Sequence, residues 1–291
     1  MIETQKRVVG ILAHRTRQEA LEFAEKVIEW LESRNIEVRL DRDAAIKLGK
    51  TDLACADNGW REVEFIITLG GDGTILTAAR LAAPMGIPIL GVHMGQFGFI
   101  AETHPGDLFP HLEEILAGKI QIEQRLMLQA DIIRNGETFH TGSGLNDVAL
   151  KSKMSRLLHL KTYLSGELFA TYPADGVVIS TPTGSTGYAL SAGGPLVEPS
   201  VQVFLLVPIC PHTLSARPMI VPAHETIEIE IEADGDDVIF AIDGVEPLTL
   251  ESGDRVVVRK ADYSTKIILL NHGTFYDKVR KRYLYGERVN A

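Results

Sequence analysis

The first residues that could do chemistry form a glycine loop with one acid, Gly-Gly-Asp-Gly-Thr at Gly70–Thr74. The loop follows Phe65–Leu69, an apolar run typical of a buried strand, and it opens a helical stretch. Glycines let a phosphate approach the backbone, and a helix N-terminus offers unpaired N–H groups to an anion. A carboxylate would repel that phosphate, so Asp72 is predicted to take a proton from an attacking hydroxyl or to help hold a metal ion. An ordinary glycine turn is the alternative interpretation.

A second segment, Asp175–Pro195, runs from an apolar strand into a loop rich in hydroxyls and glycine. Its centre is Thr-Pro-Thr-Gly-Ser-Thr at residues 181–186. Hydroxyls donate to and accept from a ribose or an amide, and Tyr188 offers an aromatic face to a ring. A structural loop rarely needs so many Ser and Thr side chains, so this segment favours a ligand-binding loop.

Two shorter motifs carry weaker signals. Asn146 and Asp147 end a glycine-rich stretch and could orient the hydroxyls or amides of a ligand, although a polar turn is the more common meaning of such a segment. Phe97 follows another strand end and could contact a ring, although buried aromatics more often belong to the core. The histidines and the two cysteines show no spacing typical of a metal site, so no protein metal site is predicted.

The elements that must position these residues change character along the chain. Up to about residue 120, strand-like runs alternate with helix-like runs, which predicts a parallel sheet of α/β type. The predicted strands are Val8–Ala13, Ile36–Leu40, Phe65–Leu69 and Ile87–Val92, and the predicted helices are Arg17–Arg34, Ile75–Ala83 and Leu108–Leu116. Beyond that point, alternating apolar and polar residues with hairpin turns such as Asn135-Gly136 predict antiparallel β-structure.

This change of pattern divides the chain. We predict an α/β nucleotide-binding domain over residues 1–122, an all-β domain over 123–270, and a helical tail over 271–291 that packs back on the first domain. The tail carries the basic residues Lys278 and Arg280–Arg282. Such a cluster is typical of a solvated helix surface rather than of a nucleic-acid contact.

Composition limits the function classes. The chain has 291 residues, 45% of them hydrophobic, with 29 Lys and Arg against 39 Asp and Glu and a formal net charge of −10. An acidic chain is a poor general binder of nucleic acid or of an anionic membrane, but backbone amides can still bind a phosphate-bearing ligand. The two cysteines are far apart, and no apolar run approaches the ~20 residues of a membrane helix. A cytoplasmic protein with small-molecule ligands, no nucleic acid and no membrane partner is therefore expected.

Taken together, the three segments resemble the NAD kinase family. The Gly70–Thr74 loop is shared with phosphofructokinases and with diacylglycerol and sphingosine kinases, whereas Asp175–Pro195 is far more specific. Pro211–Pro218 is also similar to a family segment, and the resemblance runs from Val8 to about Leu270. It implies an N-terminal α/β domain with a parallel sheet, like that of phosphofructokinase and diacylglycerol kinase. It also implies a C-terminal all-β domain, with the NAD site between the two.

The resemblance implies transfer of the terminal phosphoryl group of ATP, or in some members of polyphosphate, to the 2′-hydroxyl of the adenosine ribose of NAD, giving NADP. Asp72 would be the general base, a divalent cation, expected to be Mg²⁺, would come with ATP, and the chain would form a homodimer or homotetramer. The residues implied in nucleotide binding are Gly73, Thr74, Phe97, Asn146, Asp147, Arg156, Asp175, Thr186, Gly187, Tyr188, Ala189 and Ser191.

Four positions depart from the family pattern. Asp147 is one methylene shorter than the usual Glu, and Gly187 replaces the commoner Ala. Val245 stands where Gln often follows an Asp-Gly pair, and His93 replaces a frequent Asn. None of these changes removes the implied base.

Two other classes stay open. A lipid kinase of the diacylglycerol or sphingosine type shares the glycine loop but does not predict the Thr-Pro-Thr-Gly-Ser-Thr segment. A non-catalytic NAD(P)-binding sensor would not need Asp72, which is intact. An assay of NADP production separates both classes from an NAD kinase.

Overall fold

The structure is a computed structural model, and contacts between residues divide the chain into two compact units. The first unit combines Met1–Gln124 with Thr265–Ala291, and the second is Arg125–Ser264. The residues that the structure describes are 6–95, 98–153, 157–232, 238–270 and 273–283.

The elements follow in chain order. Up to residue 125 they are β1 (Val8–Ala13), α1 (Gln18–Glu32), β2 (Glu37–Leu40), α2 (Arg42–Lys47), β3 (Phe65–Gly70), α3 (Asp72–Ala82), β4 (Ile89–His93), α4 (Leu108–Leu116) and β5 (Gln121–Arg125). The later ones are β6 (Leu128–Arg134), β7 (Glu137–Gly144), β8 (Asp147–Ser152), β9 (Leu158–Leu164), β10 (Glu167–Ala174), β11 (Gly176–Ser180), α5 (Tyr188–Ser191), β12 (Val203–Ile209), β13 (Met219–Pro222), β14 (Ile227–Glu232), β15 (Val238–Ile242), β16 (Val245–Leu250), β17 (Arg255–Lys260), β18 (Thr265–Leu269) and α6 (Phe275–Tyr283).

The first unit is built on one six-stranded sheet with the order β2-β1-β3-β4-β18-β5. Strands β2, β1, β3 and β4 pair in parallel. Every residue of β1, β3 and β4 is buried, as expected where both faces of a parallel sheet are covered. Helix α1 buries one apolar stripe at helical spacing, Ala20, Leu21, Ala24, Val27, Ile28 and Leu31. The carboxyl ends of β1 and β3 therefore lie side by side, where α/β sheets place ligands.

The second unit consists of two six-stranded sheets, β10-β9-β14-β17-β6-β7 and β13-β12-β11-β8-β15-β16. In the strand pairs with a defined register the strands are antiparallel. Along β14, Ile227, Ile229 and Ile231 are buried while the intervening glutamates are not. These isoleucines share one hydrophobic core with Phe204 and Phe240 of the other sheet. The two sheets therefore pack face to face.

The predicted fold class, an α/β domain followed by an all-β domain, is confirmed. Helix α3 begins at Asp72, three residues before the predicted helix Ile75–Ala83, so the candidate base lies in the first helical turn. The sequence also predicts a turn at residues 233–236, and all four lie outside the residues that the structure describes.

The prediction that residues up to 270 belong to the all-β domain is wrong for β18. This strand joins the sheet of the first unit, where Ile267 pairs with Ile89 of β4, and the boundary falls after Gln124 rather than after residue 122. Ile267 and Ile268 are both buried. A short apolar strand carries no local signal for the sheet that it joins, because its partners are distant in sequence.

The tail also differs from the prediction at one residue. Helix α6 exposes most of its basic side chains, but Lys278 is buried, and its Nζ lies 2.5 Å from Glu102 Oε1. The interpretation as a solvated surface is therefore wrong for Lys278. Among the residues that the structure describes, no helix is long and apolar enough to cross a membrane.

Candidate active site

Asp72 is held by the segment that follows β4. Its Oδ2 accepts a hydrogen bond from the backbone N–H of Phe99 at 2.8 Å, and its Oδ1 accepts one from Ile100 at 3.2 Å. A Cβ at Gly98 would clash with this carboxylate, so any larger residue there would displace the Asp72 side chain. A carboxylate offers about four acceptor positions, so the two bonds orient Asp72 and leave it able to accept a proton.

The glycines of the loop have two different roles, close packing at Gly70 and open backbone at Gly71 and Gly73. A Cβ at Gly70 would clash with the buried Thr74 side chain, so the start of the loop needs glycine for packing. A Cβ at Gly71 or Gly73 would meet no heavy atom within 4 Å among the residues that the structure describes. These two positions are open, and their backbone is accessible to a ligand. Thr74 is buried, so its part in the loop is chiefly to pack under Gly70.

A cavity of about 600 Å³ lies against the glycine loop, within the first unit. It forms because β1 and β3 are neighbours, and the N–H of His14, just after β1, donates to Leu69 O at 2.9 Å. The lining residues are Leu12, Ala13, His14, Arg15, Thr16, Arg17, Asp41 and Gly71–Thr74. Its size suits a small ligand.

Two arginines of this cavity, Arg15 and Arg17, were not predicted from the sequence. Arg17 donates to the carbonyl of Met94, and Arg15 forms an ion pair with Asp43 at 2.9 Å. Both side chains are exposed. The signal that could have found them is topological, since residues that follow β1 must lie beside those that follow β3 in a parallel sheet.

In the second unit, Asp243 fixes the turn that carries Asn146 and Asp147. Its carboxylate accepts three successive backbone N–H groups, from Leu145 at 3.0 Å, Asn146 at 2.8 Å and Asp147 at 3.1 Å. Asp243 has a φ of 50° and Gly244 one of 72°, so a left-handed turn aims the acid at these amides. Asp243 was not predicted from the sequence as a site residue.

Two buried oxygens beside this turn lack a hydrogen-bond partner among the residues that the structure describes. They are Asn146 Oδ1 and Thr183 Oγ1. Burying an unpaired polar atom costs about 1–3 kcal/mol. A bound molecule with N–H or O–H groups at this place would satisfy them, so the pair indicates a ligand site.

Asp147 has an unusual charge state. Burial above all, with the neighbouring charge of Asp243, raises the pKa of Asp147 from its ordinary value of 3.8 to about 7. A Cβ at Gly187 would lie 3.5 Å from Asn146 Nδ2 and 3.8 Å from Asp147 Oδ2. The structure therefore brings Gly187 to the Asn146–Asp147 turn.

Tyr188 and Asp175 lie in the same region. Tyr188 is exposed, and partial burial with the nearby Cys210, Asp147 and Asp175 raises the pKa of its phenol. Asp175 Oδ1 is 3.9 Å from His212 Nε2. The ring and these acids thus surround one surface, suited to a ligand with both an aromatic ring and hydroxyl groups.

The other predicted contacts are spread more widely. Thr186 Oγ1 donates to Thr183 O at 3.2 Å, and Ser191 is exposed at the end of α5. Ala189 is fully buried in a core cluster, so only its backbone could reach a ligand. Phe97 and Arg156 lie outside the residues that the structure describes.

A protein metal centre has no support in the described part of the chain. No group of three His, Cys, Asp or Glu side chains there is arranged to hold a metal ion. A cation that acts in this region would need most of its ligands from a bound anion.

An α/β unit with an acid-bearing glycine loop, followed by an antiparallel β unit with its own ligand surface, defines a two-domain nucleotide kinase. The family models "ATP-NAD kinase N-terminal domain" and "ATP-NAD kinase C-terminal domain" match residues 9–120 and 145–270. The NAD kinase of Moorella thermoacetica is 42% identical over 279 residues, which are 96% of this chain and 89% of that protein. The chain therefore belongs to the ATP-NAD kinase family, and NAD kinase activity follows from that membership.

Two solved structures share the fold. Yeast NADH kinase in complex with NADH superposes with a TM-score of 0.90 at 23% identity, over 99% of this chain and 91% of that one. The Archaeoglobus fulgidus NAD kinase in complex with ATP gives a TM-score of 0.71 at 24% identity, over 96% and 97%. The matches support neither a lipid kinase nor a non-catalytic sensor.

Proposed function

We propose that this NAD kinase transfers the terminal phosphoryl group of ATP to the 2′-hydroxyl of the adenosine ribose of NAD, with Asp72 as the general base. The observation that carries the proposal is the carboxylate of Asp72, oriented by two backbone N–H groups beside the open glycines of its loop. Production of NADP is the activity of the family to which the chain belongs.

The second unit supplies the groups for NAD. Asn146 Oδ1 and Thr183 Oγ1 are buried acceptors that the adenine amino group or a ribose hydroxyl would pair. When it is ionised, Asp147 accepts hydrogen bonds from ribose hydroxyls, and Tyr188 offers its ring face to a nucleotide base. Asp175 faces the nicotinamide end.

The first unit supplies the groups for the phosphoryl donor. The triphosphate lies in the cavity beside the glycine loop, where the N-terminus of α3 and the amide of Gly73 bind phosphate oxygens. Arg15 and Arg17 line the same cavity and add positive charge that the overall net charge of −10 hides. The ATP complex of the archaeal relative agrees with ATP as a donor.

Mg²⁺ fits this arrangement as a cation that arrives with ATP. The described residues offer no cluster of three ligands, so the phosphate oxygens would hold the ion, with Asp72 as the nearest acid of the loop. Bound there, Mg²⁺ would spread the charge that develops on the transferred group.

The chain's own part in the reaction is positioning and proton removal. A ribose hydroxyl is a weak nucleophile, and phosphoryl transfer depends mainly on alignment and charge stabilisation. Asp72 accepts the hydroxyl proton as the new bond forms, which contributes about 10²–10⁴-fold to the rate.

The test is to incubate the pure protein with NAD, Mg²⁺ and either ATP or polyphosphate, and to measure NADP. We expect NADP with ATP, and the polyphosphate arm decides whether this donor is also used. Phosphorylation of diacylglycerol or sphingosine without NADP would contradict the proposal. The cytoplasmic location and the homodimer or homotetramer stay predictions.

A further inference from the structure

Lys278 forms an ion pair inside the first unit that no part of the reaction described above uses. Both partners are buried: Lys278 is only 8% exposed and Glu102 is 5% exposed. Lys278 Nζ donates to Glu102 Oε1 at 2.5 Å and to the backbone carbonyl of Phe99 at 3.3 Å. A helix near the C-terminus thus contacts the segment that holds the candidate base.

The peptide unit between Phe99 and Ile100 joins Lys278 to Asp72. Its carbonyl, that of Phe99, accepts from Lys278, and its N–H, that of Ile100, donates to Asp72 Oδ1 at 3.2 Å. A peptide unit is planar, so fixing its carbonyl also fixes its N–H. The next N–H toward the N-terminus, that of Phe99, binds the other carboxylate oxygen at 2.8 Å. Both oxygens of Asp72 therefore depend on the orientation of one segment.

Other contacts make the tail a firm support for this segment. The ring of Tyr283 stacks on that of Phe99, with centroids 5.8 Å apart and an interplanar angle of 24°. The start of α6 is capped, because Thr274 and Asp277 exchange hydrogen bonds between side chain and backbone. Lys278 therefore projects from a helix whose first turn is fixed.

We propose that Lys278 is a positioning residue of the reaction: through the Phe99–Ile100 peptide it sets the orientation of the Asp72 carboxylate. A buried ion pair adds little stability over an apolar pair of similar volume, so stability alone explains this pair poorly. The inference rests on the proposed function of Asp72 as the base. It differs from a purely structural role because it requires a loss in turnover rather than in NAD affinity.

The first test is the double variant Lys278→Met with Glu102→Gln, since removal of Lys278 alone would leave Glu102 buried and unpaired. We expect kcat to fall about 10-fold, because small displacements of a reacting group are costly, with the KM for NAD unchanged. Lys278→Arg keeps the charge and the donors, so it should retain most of the turnover. Lys281→Met, an exposed lysine of the same helix, is the matched control and should leave kcat unchanged. A wild-type kcat in the double variant, or a loss confined to KM, overturns the proposal.

Lys278→Gln is the second variant if the double variant does not fold, since it keeps one neutral donor. We expect a fall of a few-fold in kcat at constant KM. An unchanged kcat overturns the proposal here as well.

The closing experiment places the same double variant in an Asp72→Asn background. With the base removed there is nothing left to orient, so we expect no further loss in the residual rate. An equal 10-fold further loss would show that the pair acts on the structure as a whole, which overturns the positioning role and leaves the base intact. If Asp72→Asn alone keeps wild-type turnover, the proposed base has failed, and the positioning role fails with it.

Discussion

The glycine loop of the first unit and the Asn146–Asp147 turn of the second share one structural feature. In each region, one carboxylate accepts hydrogen bonds from successive backbone N–H groups. In the first region that acid, Asp72, is itself the proposed chemical group, and it binds two amides. In the second the acid is Asp243, which binds three amides of the turn that carries Asn146 and Asp147, the proposed NAD contacts. The same kind of hydrogen bonding therefore positions the proposed base in one region and the proposed NAD contacts in the other.

Charge follows the same division. The loop of Asp72 has open backbone at Gly71 and Gly73 and exposed arginines nearby, which suits an anionic ligand. The second region has buried, unpaired oxygens and an acid with a pKa of about 7, which suits a ligand rich in N–H and O–H donors. This difference supports the proposal that phosphates bind in the first region and that a base and a ribose bind in the second.

The largest effect should come from Asp72→Asn. Without a base, turnover should fall about 10²–10⁴-fold in a coupled assay of NADP, while the fold and NAD binding persist. Asp52→Asn is the matched control, since Asp52 is an exposed acid of the same unit that lies outside the glycine loop. If turnover in Asp72→Asn stays within a few-fold of wild type, Asp72 is not the base. Its role would then be like that of Asp243, which only holds backbone N–H groups in place.

A pH titration of stability should separate the two regions next. The pKa of Asp147 is raised in the folded state, so between about pH 4 and pH 7 the folded chain holds a proton that the unfolded chain has lost. Stability from this group is full below the unfolded pKa and is lost as pH rises through about 7. We expect the wild type to lose up to about 4 kcal/mol of unfolding free energy over this window relative to Asp147→Asn.

The measurement is denaturant unfolding of both proteins from pH 4 to pH 8. Asp243→Asn sharpens it, because loss of the Asp243 charge removes one cause of the raised pKa of Asp147 and should shift the decline to lower pH. Parallel stability curves for the wild type and Asp147→Asn would show that Asp147 titrates normally. Asp147 would then be charged at neutral pH.

The sequence predicted what is local and missed what is brought together by folding. Some site features are continuous stretches of sequence, so their residue types can be interpreted without knowledge of the fold. These are the glycine loop, the Asn146–Asp147 pair and the 181–186 segment. Asp243 is 97 residues from Asn146, and Lys278 is 179 residues from Phe99. No local pattern marks such partners, because their positions depend on which strands and helices become neighbours.

The smallest effect, and the finest test of the second region, is expected for Gly187→Ala. A Cβ there would lie 3.2 Å from Gly184 O and 3.5 Å from Asn146 Nδ2, which is tight but not prohibitive. We expect the KM for NAD to change by about 3-fold or less, with kcat unchanged.

Gly184→Ala is the matched control for that substitution, since its Cβ would clash with the backbone carbonyl of Asn146. It should move the turn that Asp243 holds and lower both stability and NAD affinity, as measured by thermal unfolding and by the KM for NAD. If Gly187→Ala lowered stability and NAD affinity as much as Gly184→Ala, the space around Gly187 beside Asn146 and Asp147 would be fully packed. A ligand could then not bind at that surface. The difference between Gly187 and the open glycines Gly71 and Gly73 would then be a difference in packing and not in the ligand that each region binds.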